Sequence, residues 1–348
     1  MKEQKILVWL PSPMGDAIMC TPALKSLREH FRSARIYFYS NSVAKSILSP
    51  STFTDGWITQ NTKSPFTAAK ELKKHNFTHA VLFKNSFASA LPIFFAAIPQ
   101  RIGYSRDCRG LFLNVKIQPE KKQDGSFEPV SMVEYYNGLV RQLGAEKIDT
   151  SLELSVDTID TKSLKEKLPC LFKNNKPIFI IVPGGAYGPS KCWLNERYAQ
   201  TAEQLIEKYN AQVVISVSPA VAERKIAKQI CDFSKYELTD LGEKNLTLGE
   251  LKALFTQAQL IISNDTGPRH IAIASGKKIV TLFGPNNPLW TQTNYPDEIQ
   301  IIADVPCSPC DKPICKKKHH YCMESITVDM VSKAAAELLS KQNRFTVK

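Results

Sequence analysis

Apolar positions along the chain follow two rhythms. Short, nearly continuous apolar runs have the length and the β-branched and aromatic content of buried strands: KILVWL from Lys5, RIYFYS from Arg35, HAVLF from His79, PIFIIV from Pro177, QVVISV from Gln212, QLIIS from Gln259 and KIVTLF from Lys278. Between them apolar residues recur at helical spacing. The clearest case runs from Asn195 to Lys208, where Tyr198, Ala202, Leu205, Ile206 and Tyr209 share one face behind an asparagine cap. Strand, helix and strand at this spacing predict parallel sheets with helices on both faces. The alternation fades in a polar, lysine-rich stretch between Thr150 and Asn175 and restarts at Pro177. This predicts domains over 1–160 and 175–325, with a helical segment over 326–348. Parallel sheets bind ligands at the carboxyl ends of their strands. The expected fold class is therefore α/β, two Rossmann-like parallel-sheet domains facing a central cleft.

Composition narrows the class. The chain has 348 residues, 43% hydrophobic and 22% charged, which suits a globular protein with two cores. Its most apolar stretch, Ala88 to Pro99, is too short to cross a bilayer and contains Pro92. The opening residues, MKEQKILVWLPSPMGD, lack the features of a secretory signal, so a cytoplasmic chain is expected. A formal net charge of +12 favours acidic partners: nucleic acid, phosphorylated small molecules or an anionic membrane surface. Apart from CKKKHHYC near the end, basic residues are scattered and do not interleave with aromatics, so nucleic-acid binding is not expected.

Three loops directly follow predicted strands. In PSPMGDAIMCTPAL, from Pro11, Gly15 permits a tight turn and Asp16 projects a carboxylate that either caps the next helix or serves as a general base at the cleft mouth. In VPGGAYGPSKCW, from Val182, Gly184, Gly185 and Gly188 free the backbone to approach a ligand. Lys191 there is either a mobile cation or a solvated surface lysine. The loop matches neither the Walker pattern nor GxGxxG. In LIISNDTGPRHIA, from Leu260, Asp265 can accept hydrogen bonds from sugar hydroxyls, and Thr266, Gly267 and Pro268 form the cap, hinge and first position of a helix. Amides at such a start attract anions. His270, at the third helical position, either faces the same anion or lies on the helix surface. Two anion-friendly loops and a carboxylate across the cleft are the pattern of a nucleotide-sugar glycosyltransferase with a base-activated nucleophile.

Nine cysteines in a cytoplasmic chain are expected to be reduced, and Cys20, Cys192 and Cys231 are isolated packing residues. Cys307, Cys310, Cys315 and Cys322 cluster around His319 and His320, either as a structural zinc site or as a loop of free thiols or a conditional disulfide.

Five segments in order carry a resemblance: Gly15-Asp16, KNSFASALPIFFAAIPQRIGY from Lys84, PGGAYGPSKCW from Pro183, NDTGPRH from Asn264 and FGPNNP from Phe283. With them the chain resembles the bacterial heptosyltransferases of glycosyltransferase family 9, and the segment from Lys84 looks like their type II. The resemblance implies a GT-B architecture, with the acceptor on the N-terminal domain, the ADP-sugar on the C-terminal one, and a last helix, Thr327 to Leu339, packing back on the first domain. It implies inverting transfer of L-glycero-D-manno-heptose from ADP-heptose to the first heptose of the lipopolysaccharide inner core, without a catalytic metal or other cofactor. A family member with another donor or acceptor, or a non-catalytic sugar-binding homologue, would share these features.

Carried over by residue, Asp16 is the base and Lys191 neutralises the departing diphosphate. Asp265 holds the heptose, Thr266 and Gly267 the phosphates with His270 nearby, Glu223 the ribose, and Leu246 lines the adenine pocket. Gly184, Gly185 and Ser190 complete the donor set, and Lys84, Asn85, Ser86 and Arg101 the acceptor set. Arg269 stands where relatives often have an uncharged residue. The acceptor is lipid-linked, which implies peripheral association with the cytoplasmic face of the inner membrane. Arg101, Arg106, Arg109, Lys121 and Lys122 are the basic residues expected to meet anionic headgroups.

Overall fold

The structure, a computed structural model, describes residues 3–185, 187–317 and 319–341. Ala186 of the glycine-rich loop, Lys318 of the cysteine loop and residues 342–348 of the expected terminal segment lie outside the described residues. The chain forms two compact units, one of residues 1–155 with 289–293, the other of residues 156–288 with 294–348.

The first unit holds six parallel strands, β1 (Lys5–Trp9), β2 (Arg35–Ser40), β3 (Gly56–Thr59), β4 (His79–Leu82), β5 (Gln100–Tyr104) and β6 (Val115–Ile117), in the order β3-β2-β1-β4-β5-β6. The second repeats the plan with β7 (Ile178–Val182), β8 (Gln212–Ile215), β9 (Thr239–Asp240), β10 (Leu260–Asn264), β11 (Lys278–Phe283) and β12 (Glu298–Ile302), in the order β12-β11-β10-β7-β8-β9. All seven apolar runs are strands. The five further strands, β3, β5, β6, β9 and β12, lie at or next to a sheet edge. There one face is less buried and the sequence mixes polar with apolar residues, so no continuous run marks them.

In each sheet the winding reverses beside the first strand, between β1 and β4 and between β7 and β10. The connections leave in opposite directions at that place and open a crevice at the carboxyl ends of the strands. Register puts Trp9 beside Leu82 in the first sheet and Val182 beside Ser263 in the second, so the loops that follow start side by side. Core residues beneath include Leu7, Trp9, Leu72, Leu82 and Ile93 in the first unit. In the second they include Phe179, Ile181, Tyr198, Leu205, Ile262 and Val280.

Several expectations are corrected. Gly15 lies inside a helix, Met14–Met19, and not in a tight turn. Asn195 is the first residue of its helix, with Leu194 at the cap position. The polar stretch after Thr150 is no linker: Asp157 caps a helix over Thr158–Lys167, Leu164, Leu168 and Leu171 are buried, and Ser163 and Lys167 bond the carboxylate of Glu250. Its sparse apolar residues at three- and four-residue spacing suffice for a helix lying on one face, so the division falls at 155/156. The last helix, Val328–Ser340, belongs to the second unit. Val331, Ala334, Ala335 and Leu338 form a stripe within that unit's core. Leu289–Thr293 belongs to the first unit.

The fully buried Leu338 gives a direct check on this assignment. Leu338→Ala is expected to destabilise the second unit by about 2–5 kcal/mol. Urea unfolding followed by the fluorescence of buried Trp193 should show the earlier midpoint; an unchanged midpoint would contradict the packing.

Candidate functional site

In the second unit the loops after β7, β8 and β10 meet. Asn264, the last residue of β10, donates from Nδ2 to the carbonyl of Pro183 at 2.8 Å, and its Oδ1 accepts from the hydroxyl of Tyr198 at 2.7 Å. The end of β10 is thereby fixed to the start of the glycine-rich loop. A Cβ on Gly184 would stand 2.6 Å from Glu223 Oε2, and one on Gly185 would stand 2.8 Å from the Thr266 methyl. A side chain at either position would displace Glu223 or Thr266. Glu223 also accepts from the backbone N–H of Ser218 at 2.8 Å, which holds its carboxylate against this loop. Leu246 is half-buried on the loop after β9, one strand further out along the same sheet end.

Lys191 is neither mobile nor solvated. It is 8% exposed, and its Nζ donates to the Asp265 carbonyl at 2.6 Å and lies 3.2 Å from Asp265 Oδ2. Among the described residues these bonds engage two of the ammonium's three donors. The ring of Tyr187 lies 4.8 Å away. The other carboxylate oxygen of Asp265 accepts from Arg269 Nη1 at 3.1 Å, and Arg269 continues through Nε and Nη2 to the two oxygens of Glu298 at 2.6 and 2.9 Å. Arg269 is fully buried and does not reach solvent. Burial opposes the charges of both Arg269 and Glu298, but their mutual pairing outweighs it, raising the guanidinium's pKa and holding the Glu298 carboxyl below its usual range. Four alternating charges thus run from β12 through the helix Gly267–Ala274 to the glycine-rich loop. Asp265 and Lys191 were expected from the sequence; Arg269 as a structural link, Glu298, Asn264 and Tyr198 were not. The four-residue spacing of Asp265 and Arg269 was the available signal.

His270 occupies the fourth position of the helix, because Gly267 is its first residue. It is buried, and its Nδ1 has no hydrogen-bond partner among the described residues. Desolvation, helped by the neighbouring Arg269 charge, lowers its pKa to about 3. The imidazole is neutral at physiological pH, so it offers no charge to an anion and lies on no surface. Thr266 and Gly267 do begin the helix at the crevice, where amide donors face outward.

In the first unit Asp16 sits half-buried in the first turn of the helix after β1, and Pro13 holds the cap position, so Asp16 is not the cap. Its charge is felt by Cys20 and Tyr136, whose groups are pushed up first by burial and then by Asp16. Lys84, Asn85 and Ser86 follow β4 directly across the crevice. The Lys84 N–H donates to the Trp9 carbonyl at 3.0 Å, burial lowers the pKa of its ammonium, and the Ser86 hydroxyl caps the helix Phe87–Phe95. Arg109 supports this loop from beneath. Fully buried, it donates to the carbonyls of Tyr104 and Lys84 at 2.7 and 2.6 Å and to Asn85 Oδ1 at 2.5 Å, where the Tyr135 hydroxyl also arrives at 3.0 Å. Arg109 therefore cannot meet lipid headgroups, contrary to the expectation from its charge. Arg101 does not join the acceptor set. It pairs with Ala80 in the lower half of β5 and donates to the carbonyls of Phe112 and Ile98 at 2.7 and 2.6 Å.

Ser190 links two loops. Its hydroxyl donates to the Lys312 carbonyl at 2.6 Å, and the Tyr187 hydroxyl donates to that of Asp311 at 2.5 Å, so the cysteine loop is tied to the glycine-rich loop. Gly188, at φ +152°, lets the backbone of Pro313 lie against it. The cysteines are free of disulfides, and burial, followed by the neighbouring thiols, pushes Cys322 up to about 11. Among the described residues no three His, Cys, Asp or Glu side chains are grouped to hold a metal ion.

Two doubly wound units, each with its polar groups at the crossover of its sheet, define the GT-B class of glycosyltransferase fold. The chain belongs to glycosyltransferase family 9 (heptosyltransferase), whose model matches residues 66–321. It is 25% identical over 352 residues to the lipooligosaccharide heptosyltransferase 2 of Campylobacter jejuni, covering 97% of this chain and 99% of that one. The fold is similar to that of the Escherichia coli ADP-heptose lps heptosyltransferase II, with a TM-score of 0.78, 23% identity and coverage of 97% and 98%. It is also similar to that of the E. coli heptosyltransferase WaaC with ADP-2-deoxy-2-fluoro heptose, with a TM-score of 0.69, 18% identity and coverage of 96% and 99%.

The buried imidazole predicts a pH dependence. His270 titrates at 6.5 when unfolded and at about 3 when folded, so between these values the unfolded chain binds a proton that the folded one does not. Its contribution is complete above pH 6.5 and declines as pH falls, by up to about 1.4 kcal/mol per pH unit. Urea midpoints of wild type and His270→Gln across that range should converge as the pH drops. Parallel curves would contradict a neutral buried imidazole.

Proposed function

We propose that the chain transfers L-glycero-D-manno-heptose from ADP-heptose to the first heptose of the lipopolysaccharide inner core, with inversion at the anomeric carbon. Family membership and the names of the similar proteins support the donor and the acceptor. The observation that carries the reading is Lys191, held against Asp265 at the start of the helix Gly267–Ala274, where a cation and helix-start amides share one crevice.

In this reading Asp16 takes the proton of the acceptor hydroxyl as its oxygen attacks the anomeric carbon. The bond from that carbon to the diphosphate oxygen breaks in the same displacement, and ADP leaves. Lys191 and the amides of Thr266 and Gly267 meet the charge that develops on the diphosphate, where electrostatic help is worth most. Asp265 holds the sugar, Glu223 the ribose and Leu246 the adenine. Asn85, oriented by Arg109 and Tyr135, receives the acceptor beside Lys84 and Ser86. The four cysteines have no part in the proposed transfer.

Peripheral binding to the cytoplasmic face of the inner membrane is part of the proposal. No helix among the described residues is long and apolar enough to cross a membrane. Phe66, Phe87, Phe94, Phe95 and Leu111 are exposed, with Phe66 against Phe95 at 4.8 Å and Phe94 against Phe95 at 5.7 Å. Exposed aromatic residues on a chain of net charge +12 suit an anionic bilayer surface.

Asp16→Asn is expected to lower kcat by about 10²–10⁴-fold with donor binding retained. Lys191→Ala should weaken ADP-heptose binding and lower kcat together, by about 10²–10³-fold in kcat. ADP release and mass spectrometry of the glycan product measure both; normal transfer by Asp16→Asn would remove the base. The paired change Phe94→Glu and Phe95→Glu should abolish co-sedimentation with anionic vesicles while turnover of a delipidated acceptor stays normal. Unchanged sedimentation would place the membrane surface elsewhere.

A further inference from the structure

The loop that carries the clustered cysteines of the second unit ties together the two loops that flank β10, since β10 lies between β11 and β7 in the sheet. On the β11 side, the amides of Cys310 and Asp311 both donate to the Pro285 carbonyl, at 2.8 and 2.9 Å, and the Asp311 carboxylate accepts from the Asn287 amide at 3.1 Å. On the β7 side, the carbonyls of Asp311 and Lys312 accept from the hydroxyls of Tyr187 and Ser190 at 2.5 and 2.6 Å, and the Pro313 carbonyl accepts from the Ser190 amide at 3.2 Å. Residues 310–313 are therefore a strap. Ser190 directly precedes Lys191, so the strap bears on the ammonium through one peptide bond.

The strap begins at a pair of thiols separated by two residues. Cys310 is exposed, Cys307 is half-buried, and neither is in a disulfide. Cys322 is buried, and burial together with the neighbouring thiols of Cys307, Cys315 and Cys310 pushes it up to about 11, which leaves it a poor nucleophile. The arrangement is one of neighbouring thiols and not of a metal cage, because no three His, Cys, Asp or Glu side chains among the described residues are grouped to hold an ion.

We infer that Cys307 and Cys310 form a peroxide-sensitive modification site whose disulfide withdraws the strap from the glycine-rich loop. The inference rests on the proposed function only for what is controlled, the binding of the nucleotide donor. The Cys310 thiolate attacks one oxygen of hydrogen peroxide, the O–O bond breaks, hydroxide leaves, and Cys310 becomes a sulfenic acid. The Cys307 thiolate then attacks that sulfur, the S–O bond breaks and a second hydroxide leaves. The protons of the two thiols turn both hydroxides into water, so two thiols lose two electrons and one peroxide gains them. Closing an S–S bond of about 2.05 Å demands specific backbone geometry from a pair that is now unbonded, so Cys310 must move. Asp311 follows it in the chain and bonds both flanking loops, so the movement releases Tyr187 and Ser190.

The full chain treated with hydrogen peroxide tests this. Peptide mapping by mass spectrometry should find one link, Cys307–Cys310. Calorimetry with ADP as probe should show a Kd about tenfold weaker after oxidation, restored by dithiothreitol, and hydrogen exchange over residues 182–194 should quicken in the oxidised form. Cys310→Ser and Cys307→Ser should each bind ADP within about twofold of wild type before and after peroxide. A link between other thiols, no link, or a Cys307–Cys310 link that leaves ADP affinity and exchange unchanged would overturn the inference, as would a loss of affinity that dithiothreitol does not reverse. If neither form binds ADP while exchange still quickens reversibly as the link forms, the proposed function fails and the thiol site stands.

Discussion

The second unit depends on a buried row of alternating charges, Glu298, Arg269, Asp265 and Lys191. Each member would be costly to bury alone, since removing a single partner from such a pair leaves an uncompensated charge worth about 3–5 kcal/mol. Together they satisfy one another with short, directed bonds, and Glu298 also accepts from the Thr281 hydroxyl at 2.5 Å and from Gln300 at 2.9 Å. The row crosses the sheet end from its edge strand to the glycine-rich loop, joining elements that are distant in sequence. Its consequence for chemistry is positional. A lysine on a loop would normally sample many rotamers; here Asp265 fixes the ammonium at the helix start, so little reorganisation is needed when a diphosphate arrives.

The first unit solves the same problem with a different residue. There the loop after β4 must keep its amide and hydroxyl groups in a fixed array. The three donor bonds of Arg109 supply the rigidity, with Tyr135 closing the array from the side. Both arginines are buried, both bond several oxygen acceptors at once, and both act by positioning groups at the crossover of a sheet. The planar, multidentate guanidinium is suited to this, since it can bond several acceptors at once without changing shape.

This explains what could be read from the sequence and what could not. The inner strands were legible because burial on both faces forces continuous apolar runs, and the glycine-rich and Asn-Asp-Thr-Gly-Pro loops were legible because close approach and helix starts demand particular residues. Edge strands such as Thr239–Asp240 carry no such constraint. Arg109 looked like a surface charge since two of its acceptors are backbone carbonyls, which leave no trace in composition, and the third, Asn85, lies 24 residues away. Glu298 lies 29 residues beyond Arg269, so nothing local announces the pair. His270 was ambiguous because its place in the helix does not tell which face is buried; the structure buries the imidazole.

The account stands on the diphosphate meeting Lys191 while the charge row stays intact. A crystal structure of the chain with ADP-heptose would test this most directly. It should show a diphosphate oxygen within hydrogen-bond distance of Lys191 Nζ and of the Thr266 or Gly267 amide, with Arg269 still bonded to Asp265 and Glu298. A diphosphate bound elsewhere, out of reach of Lys191, would contradict it.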